Sequence, residues 1–254
     1  MNSALMPADP ERVAELSARL TAVQERIEAA RLAAGRETAP ELIVVTKRFP
    51  ASDVLALAGL GVKQVGENRE QEAGPKASLV AEAGAHLRWH FIGQLQSNKA
   101  ARVLRFASEV HSVDRPGLVE ALSRAAVRRA ESMPGAAEVG CYVQVDLRTD
   151  ASASEDPHAP RGGVLPSRVM ALADAVAAAP GLTLKGLMAV APLGEDPQPA
   201  FERLALLAET VRGAHPQAVE LSAGMSGDLE AAVAAGTTRL RIGSDVLGTR
   251  TLLG

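Results

Sequence analysis

The stretch Leu42-Ile-Val-Val-Thr-Lys-Arg-Phe-Pro-Ala-Ser-Asp-Val-Leu-Ala-Leu-Ala-Gly-Leu-Gly-Val-Lys-Gln-Val65 reads as one strand–helix–strand unit. Leu42–Val45 is a short β-branched run of the kind buried on both faces of a parallel sheet. Ser52–Leu60 carries a helical pattern, and Val62–Val65 is a second short apolar run. Two strands joined this way pair in parallel through a right-handed crossover.

The same alternation continues outward. Strand-like runs recur at Trp89–Ile92, Val110–Val113, Val139–Leu147, Leu182–Met188, Val219–Ser222 and Arg239–Ile242. Helical patterns fill the gaps at Arg69–Ala83, Gln96–Phe106, Arg115–Ser132, Pro166–Ala179, Gln198–Arg212 and Gly227–Ala235. Eight strands with a helix in every gap predict an α/β fold, a single (β/α)8 TIM barrel domain spanning residues 1–254. An open doubly wound sheet is the alternative, but no glycine-rich dinucleotide loop follows the first strand. Upstream, Asp9 suits an N-cap, Pro10 the first helical position and Gly35 the left-handed end. Val13, Leu16, Leu20, Val23 and Ile27 form one apolar stripe between them, an extra N-terminal helix. Arg148–Leu165 is the one long irregular stretch; after the fifth strand it is expected to be mobile on the active-site side.

With 254 residues, 47% of them hydrophobic, the chain can bury a barrel core. A net charge of −3 argues against nucleic acid as a partner. The single cysteine, Cys141, gives no internal disulfide. The start lacks a basic lead and a sustained apolar run, so no signal peptide is expected. No stretch approaches the ~20 apolar residues of a membrane span. A soluble, cytoplasmic protein is expected.

Barrel sites lie at the C-terminal ends of the strands. Read there, Ala223-Gly-Met-Ser226 and Gly243-Ser244 are small, glycine-rich and hydroxyl-bearing. Ser226 before a helix, with Gly224 and Gly243 permitting close backbone approach, suits a phosphate; the plain alternative is a helix cap and two turns. Lys47 shares parity with Ile43 and Val45 and is expected to point into the barrel, where desolvation would favour a neutral, nucleophilic amine. The alternative is a solvated lysine at a strand end. Arg239 and Arg241 share a face. Glu220 is expected to pair with Arg239, leaving Arg241, nearer the mouth, for a ligand.

Val45-Thr-Lys47, Gly66-Glu-Asn68 with Gln71-Glu72, Trp89-His-Phe-Ile-Gly93-Gln-Leu-Gln96-Ser-Asn98-Lys99, His111-Ser-Val-Asp-Arg115, Gly186-Leu-Met188, Leu221-Ser-Ala-Gly-Met-Ser226 and Arg241-Ile-Gly-Ser244 closely resemble the pyridoxal phosphate homeostasis proteins. The resemblance runs in order from about residue 10 to the end. It implies a fold-type III barrel like the N-terminal domain of alanine racemase, with pyridoxal 5'-phosphate held as a Schiff base on Lys47. It implies phosphate contacts from Ser226, Gly243 and Ser244, Arg241 at the pyridine nitrogen, and Asn68 and His90 near the ring. The family is described as binding, buffering and handing over the cofactor, with no established catalysis. Departures from its pattern are Arg69 after Gly-Glu-Asn, Ala223 for a frequent Met and Ser244 for a frequent Thr.

An arginine at the ring nitrogen stays charged and protonates it poorly, which weakens the ring as an electron sink. Racemisation also needs a second base. Tyr142, the sole tyrosine, falls early in the fifth strand, and the chain ends at Gly254 with no room expected for the domain that supplies one in racemases. A cofactor carrier is therefore expected, as a monomer passing pyridoxal phosphate to dependent apoenzymes, with no metal. A racemase of narrow activity and a Schiff-base aldolase acting on a sugar phosphate are the competing readings. His111 and Asp114 make no ligand set and are expected to be structural.

Overall fold

A computed structural model describes residues 8–148 and 162–248. Its strands are β1 (Glu41–Val45), β2 (Gln64–Glu67), β3 (Arg88–Phe91), β4 (Glu109–Val113), β5 (Val139–Val145), β6 (Leu182–Ala189), β7 (Glu220–Ser222) and β8 (Arg239–Ile242). Every neighbouring pair is parallel and runs in chain order. β8 returns to β1, with Ile43 opposite Arg241 and Val44 opposite Ile242, so the sheet closes into a barrel. Closure excludes the open doubly wound sheet.

The helices are α1 (Pro10–Ala33), α2 (Ala51–Gly59), α3 (Glu70–Glu82), α4 (Ala100–Val103), α5 (Pro116–Ser132), α6 (Val169–Ala178), α7 (Pro197–Ala214), α8 (Leu229–Ala234) and α9 (Ser244–Leu247). The Asp9 carboxylate accepts the Glu11 N–H at the start of α1, with Pro10 as its first residue. Its buried stripe of Leu16, Leu20, Val23, Ile27 and Ala30 packs against α2, α8 and α9. Burying each large aliphatic contributes about 2 kcal/mol, enough to hold this extra helix on the barrel.

Most boundaries fall within two residues of the sequence reading. Two differ more. Gln96–Phe106 is a tight 3-10 turn, Ser97–Lys99, followed by the one-turn α4. Helix α8 begins only at Leu229, because Asp228 folds back to accept the Met225 N–H. Residues 149–161 of the long loop, His158 among them, lie outside the described residues. Its return, Gly162–Val164, crosses back onto β5: Val164 bridges Val145, and Gln144 donates to the Gly162 carbonyl at 2.6 Å.

The outer core, between strands and helices, is apolar: Val44, Val65, Phe91, Val110, Leu187 and Leu240 all belong to it. The inside of the barrel is different. Beside Ile43, Tyr142 and Met188 it buries Gln64, His90, Glu109, His111, Ser222, Arg239 and Arg241. Barrel interiors are usually filled with branched aliphatics, and buried polar groups are tolerated only when paired. Among the described residues no helix is long and apolar enough to cross a membrane.

Candidate functional site

The floor, at the N-terminal ends of the strands, is an ion-pair cluster. Arg239 donates to Glu220 at 2.6 Å, to Gln64 Oε1 at 3.1 Å and to Glu41. The Glu220–Arg239 pair is as expected from the sequence. Burial pushes the Glu220 carboxyl up, but Arg239 and Tyr142 outweigh it and hold Glu220 down to about 2. The Tyr142 hydroxyl lies 2.6 Å from Glu220 and 2.9 Å from Glu109. Tyr142 is therefore anchored at the closed end of the barrel.

Above the floor runs a continuous hydrogen-bond chain. Arg241 Nη1 is 2.6 Å from Ser222 Oγ, which is 2.9 Å from His111 Nδ1. His111 Nε2 is 2.9 Å from His90 Nδ1, and His90 Nε2 is 2.9 Å from Gln64 Oε1. Its polarity follows from its two ends. Gln64 Oε1 also receives Arg239, so it is an acceptor, and His90 must donate to it through Nε2. A neutral His90 then accepts at Nδ1, His111 donates from Nε2, and Ser222 donates to His111 while accepting from Arg241. Burial keeps both rings neutral: it lowers His90 to about 3 and His111 well below its usual range, the neighbouring guanidinium groups adding to the effect. His90, Glu109 and His111 bring ligand-type atoms within 4.8 Å of one another. All four ring nitrogens are already engaged in the chain.

Arg241 is fixed at its other end by the Ala189 carbonyl, 2.8 Å from Nη2. Among the described residues it has no carboxylate partner. Burial lowers its guanidinium to about 10, which leaves it charged at neutral pH. The sequence reading left Arg241 available for a ligand, and the structure places it one layer below the mouth.

At the mouth the last two loops meet. Ser244 Oγ donates to Ser226 Oγ at 3.0 Å. Gly224 has φ +92, and a Cβ there would come within 2.6 Å of Ala232 and 2.7 Å of Leu240, so only glycine fits the seventh loop. Because α8 starts at Leu229 and has only six residues, Ser226 is not its cap. What the two loops offer an anion is the paired hydroxyls and the loop backbone, not a helix end. Arg26 of α1 braces both loops: it donates to the Ser226 carbonyl at 2.8 Å, to Asp245 at 3.0 Å and to Glu230 at 2.5 Å.

Lys47 stands one strand away. Val45 packs under Gly243, 3.3 Å from where its Cβ would be, and Lys47 lies two residues beyond Val45. The β1 ladder ends with the Thr46 N–H on the Gly66 carbonyl, and the chain then turns. Lys47 is consequently exposed, not desolvated as its strand parity suggested. It makes no hydrogen bond or ion pair with any described residue, so its amine is accessible. Of the five lysines, Lys63 precedes β2 at the closed end, Lys185 pairs with Glu220 at 3.0 Å, and Lys76 is buried in an ion pair. Lys47 and Lys99 are on the mouth side.

Asn68 follows β2, and Gly93 approaches its carbonyl so closely that a Cβ would sit 2.2 Å away. A cleft of about 790 Å³ opens beside it, lined by Asn68, Gln94, Asn98, Lys99 and Arg115 among others. His90 lies deeper, with both nitrogens occupied. Sequence reading missed Gln64, Ser222 and Arg26 and took His111 as structural without giving it a partner. Strand parity carried a signal for Ser222, which faces inward with Glu220 and Arg241; Arg26, on the polar side of α1, gave none.

The closed parallel barrel has the fold of the alanine racemase N-terminal domain, whose family model matches residues 18–251. A pyridoxal phosphate homeostasis protein of Mycobacterium bovis is 42% identical, over 97% of this chain and 97% of its own length. An uncharacterised protein of Bifidobacterium adolescentis has a solved structure with TM-score 0.83 and 30% identity, covering 97% of this chain and all of that one. PipY of Synechococcus elongatus, solved with pyridoxal phosphate bound, gives TM-score 0.75 and 29% identity over 92% of this chain and all of its own. The chain belongs to the pyridoxal phosphate homeostasis protein family.

Proposed function

We propose that this chain binds pyridoxal 5'-phosphate reversibly at the barrel mouth, holds it as a protected store in the cytoplasm, and releases it to apoenzymes that require it. In this reading the chain is a monomer and one barrel domain throughout. The observation that carries it is the 3.0 Å approach of Ser226 and Ser244, one strand from an accessible lysine. Their hydroxyls and the backbone at Gly243 would hold the phosphate, Arg241 would face the ring nitrogen, and Asn68 would flank the ring. His90 would act from beneath, through the chain that fixes Arg241. When bound, the cofactor would supply an aldehyde, and Lys47 would be the amine that holds it as a Schiff base.

The same residues favour storage over turnover. Arg241 stays charged and so lends the ring nitrogen no proton. Tyr142, the single tyrosine, is fixed between Glu109 and Glu220 at the far end of the barrel, where it cannot act as a second base at the mouth. The structure of PipY with pyridoxal phosphate bound supports the cofactor's identity. The test is spectroscopic. Purified protein incubated with the cofactor should develop a visible band that Lys47→Ala lacks. A colourless wild type would refute the reading, and racemisation of added amino acids would refute its non-catalytic part.

A further inference from the structure

The residues that join β1 to α2 are shaped by α3. Lys76, buried in α3, has three N–H donors, and all are engaged: the Thr46 carbonyl at 2.9 Å, Glu67 at 2.6 Å and Glu72 at 3.2 Å. Thr46 Oγ1 also donates to Glu67, at 2.7 Å. Glu72 in turn accepts the N–H of Arg48. Arg48 is the only described non-glycine residue with a positive φ, +67, a conformation that side-chain-bearing residues adopt only under external constraint.

The consequence falls on Lys47. The carbonyl of the Thr46–Lys47 peptide is held by Lys76, and the N–H of the Lys47–Arg48 peptide is held by Glu72. With both flanking peptide planes fixed, the φ and ψ of Lys47 are fixed, and with them the direction of its Cα–Cβ bond. Its exposed side chain has no other tether. Glu67 and Glu72 come from two motifs, Gly66-Glu-Asn68 and Gln71-Glu72, to which the cofactor site assigns no further task.

We propose that Lys76, with Glu67 and Glu72, is a positioning group for Lys47: a clamp from α3 that aims the mouth amine at an aldehyde held by the Ser226 and Ser244 loops. This rests on the cofactor reading above. The clamp does not touch the phosphate loops, so it should govern formation of the covalent link and leave phosphate-anchored binding alone.

The experiment uses the full-length chain and two ligands. Pyridoxal 5'-phosphate reports the covalent link through its visible band. Pyridoxamine 5'-phosphate has the same ring and phosphate but no aldehyde, and reports binding alone. Glu72→Ala removes the acceptor for Arg48 from a half-exposed site. The double variant Glu67→Gln/Lys76→Met removes the buried pair together, so no lone charge is left in the core. Displacing an amine by about 1 Å costs on the order of tenfold to a hundredfold in rate. In both variants the band should form at least about tenfold more slowly, with pyridoxamine phosphate affinity within about twofold of wild type. Wild-type rates in both variants overturn the clamp and leave the cofactor reading standing. Parallel loss of both ligands also overturns it, since that marks a general effect on the fold. A wild type that binds but forms no band on Lys47 overturns both proposals.

Discussion

Ser244 donates its hydroxyl to Ser226 across 3.0 Å, joining the loops after β7 and β8 into one rim. A phosphate seated there would receive both hydroxyls. A hydrogen bond to a charged group contributes about 1.5–3 kcal/mol, so Ser226→Ala or Ser244→Ala should each weaken pyridoxal phosphate binding by about tenfold to a hundredfold. Pyridoxal without its phosphate should bind the variants as it binds wild type. Titration by fluorescence or calorimetry measures both; an equal loss for the two ligands would remove the phosphate from these serines.

Arg26 extends this rim to the N-terminal helix through Ser226, Glu230 and Asp245. Its side chain is partly exposed, so Arg26→Ala should cost only about 1 kcal/mol in global stability. Affinity for the cofactor should nevertheless fall several-fold, because the Ser226 carbonyl loses its anchor. A denaturant midpoint and a binding isotherm for the same variant separate the two effects. Unchanged affinity would confine Arg26 to holding α1 in place.

His90 and His111 give the fold a defined acid sensitivity. Burial, reinforced by nearby arginines, lowers His90 to about 3 and His111 well below its ordinary value. The unfolded chain takes up protons on both as pH drops below about 6.5, whereas the folded chain does not. Stability is therefore full above about pH 6.5 and declines below it, by at most about 1.4 kcal/mol per pH unit for each histidine. Buried Glu67, Glu109 and Asp114, whose carboxyls are raised by burial, push the opposite way in any variant that keeps them. Urea unfolding of wild type and His90→Gln between pH 7 and 4.5 isolates the histidine contribution. The variant should show the shallower loss toward acid, and equal slopes would contradict a neutral, buried His90.

Tyr142→Phe tests the separation of floor from mouth. It removes the hydroxyl that lies between Glu109 and Glu220 and should destabilise the fold by about 1–3 kcal/mol. Cofactor loading should stay at the wild-type level. Loss of the visible band in a folded Tyr142→Phe protein would show that this tyrosine serves the site.

The sequence carried the fold almost completely, because β-branched runs and helical stripes alternate from Leu42 to Ile242, broken only by the irregular stretch Arg148–Leu165. It also carried the Glu220–Arg239 pair, through parity on neighbouring strands. It did not carry the environment of Lys47: parity predicts an inward, desolvated amine only if the strand continues, and the ladder stops at Thr46. Nor could it show that Ser226 stands off from α8, since Asp228 captures the Met225 N–H and delays the helix. The chain from Arg241 to Gln64 joins five strands, and contacts across so many strands leave no trace in local spacing. His111 was legible as a structural residue but not as one link of five.

The most direct measurement is borohydride reduction of the protein with pyridoxal phosphate, followed by peptide mapping. A Schiff base on Lys47 requires one stable adduct, on that residue. An adduct on Lys99, the other lysine at the mouth, or no adduct at all, would contradict it.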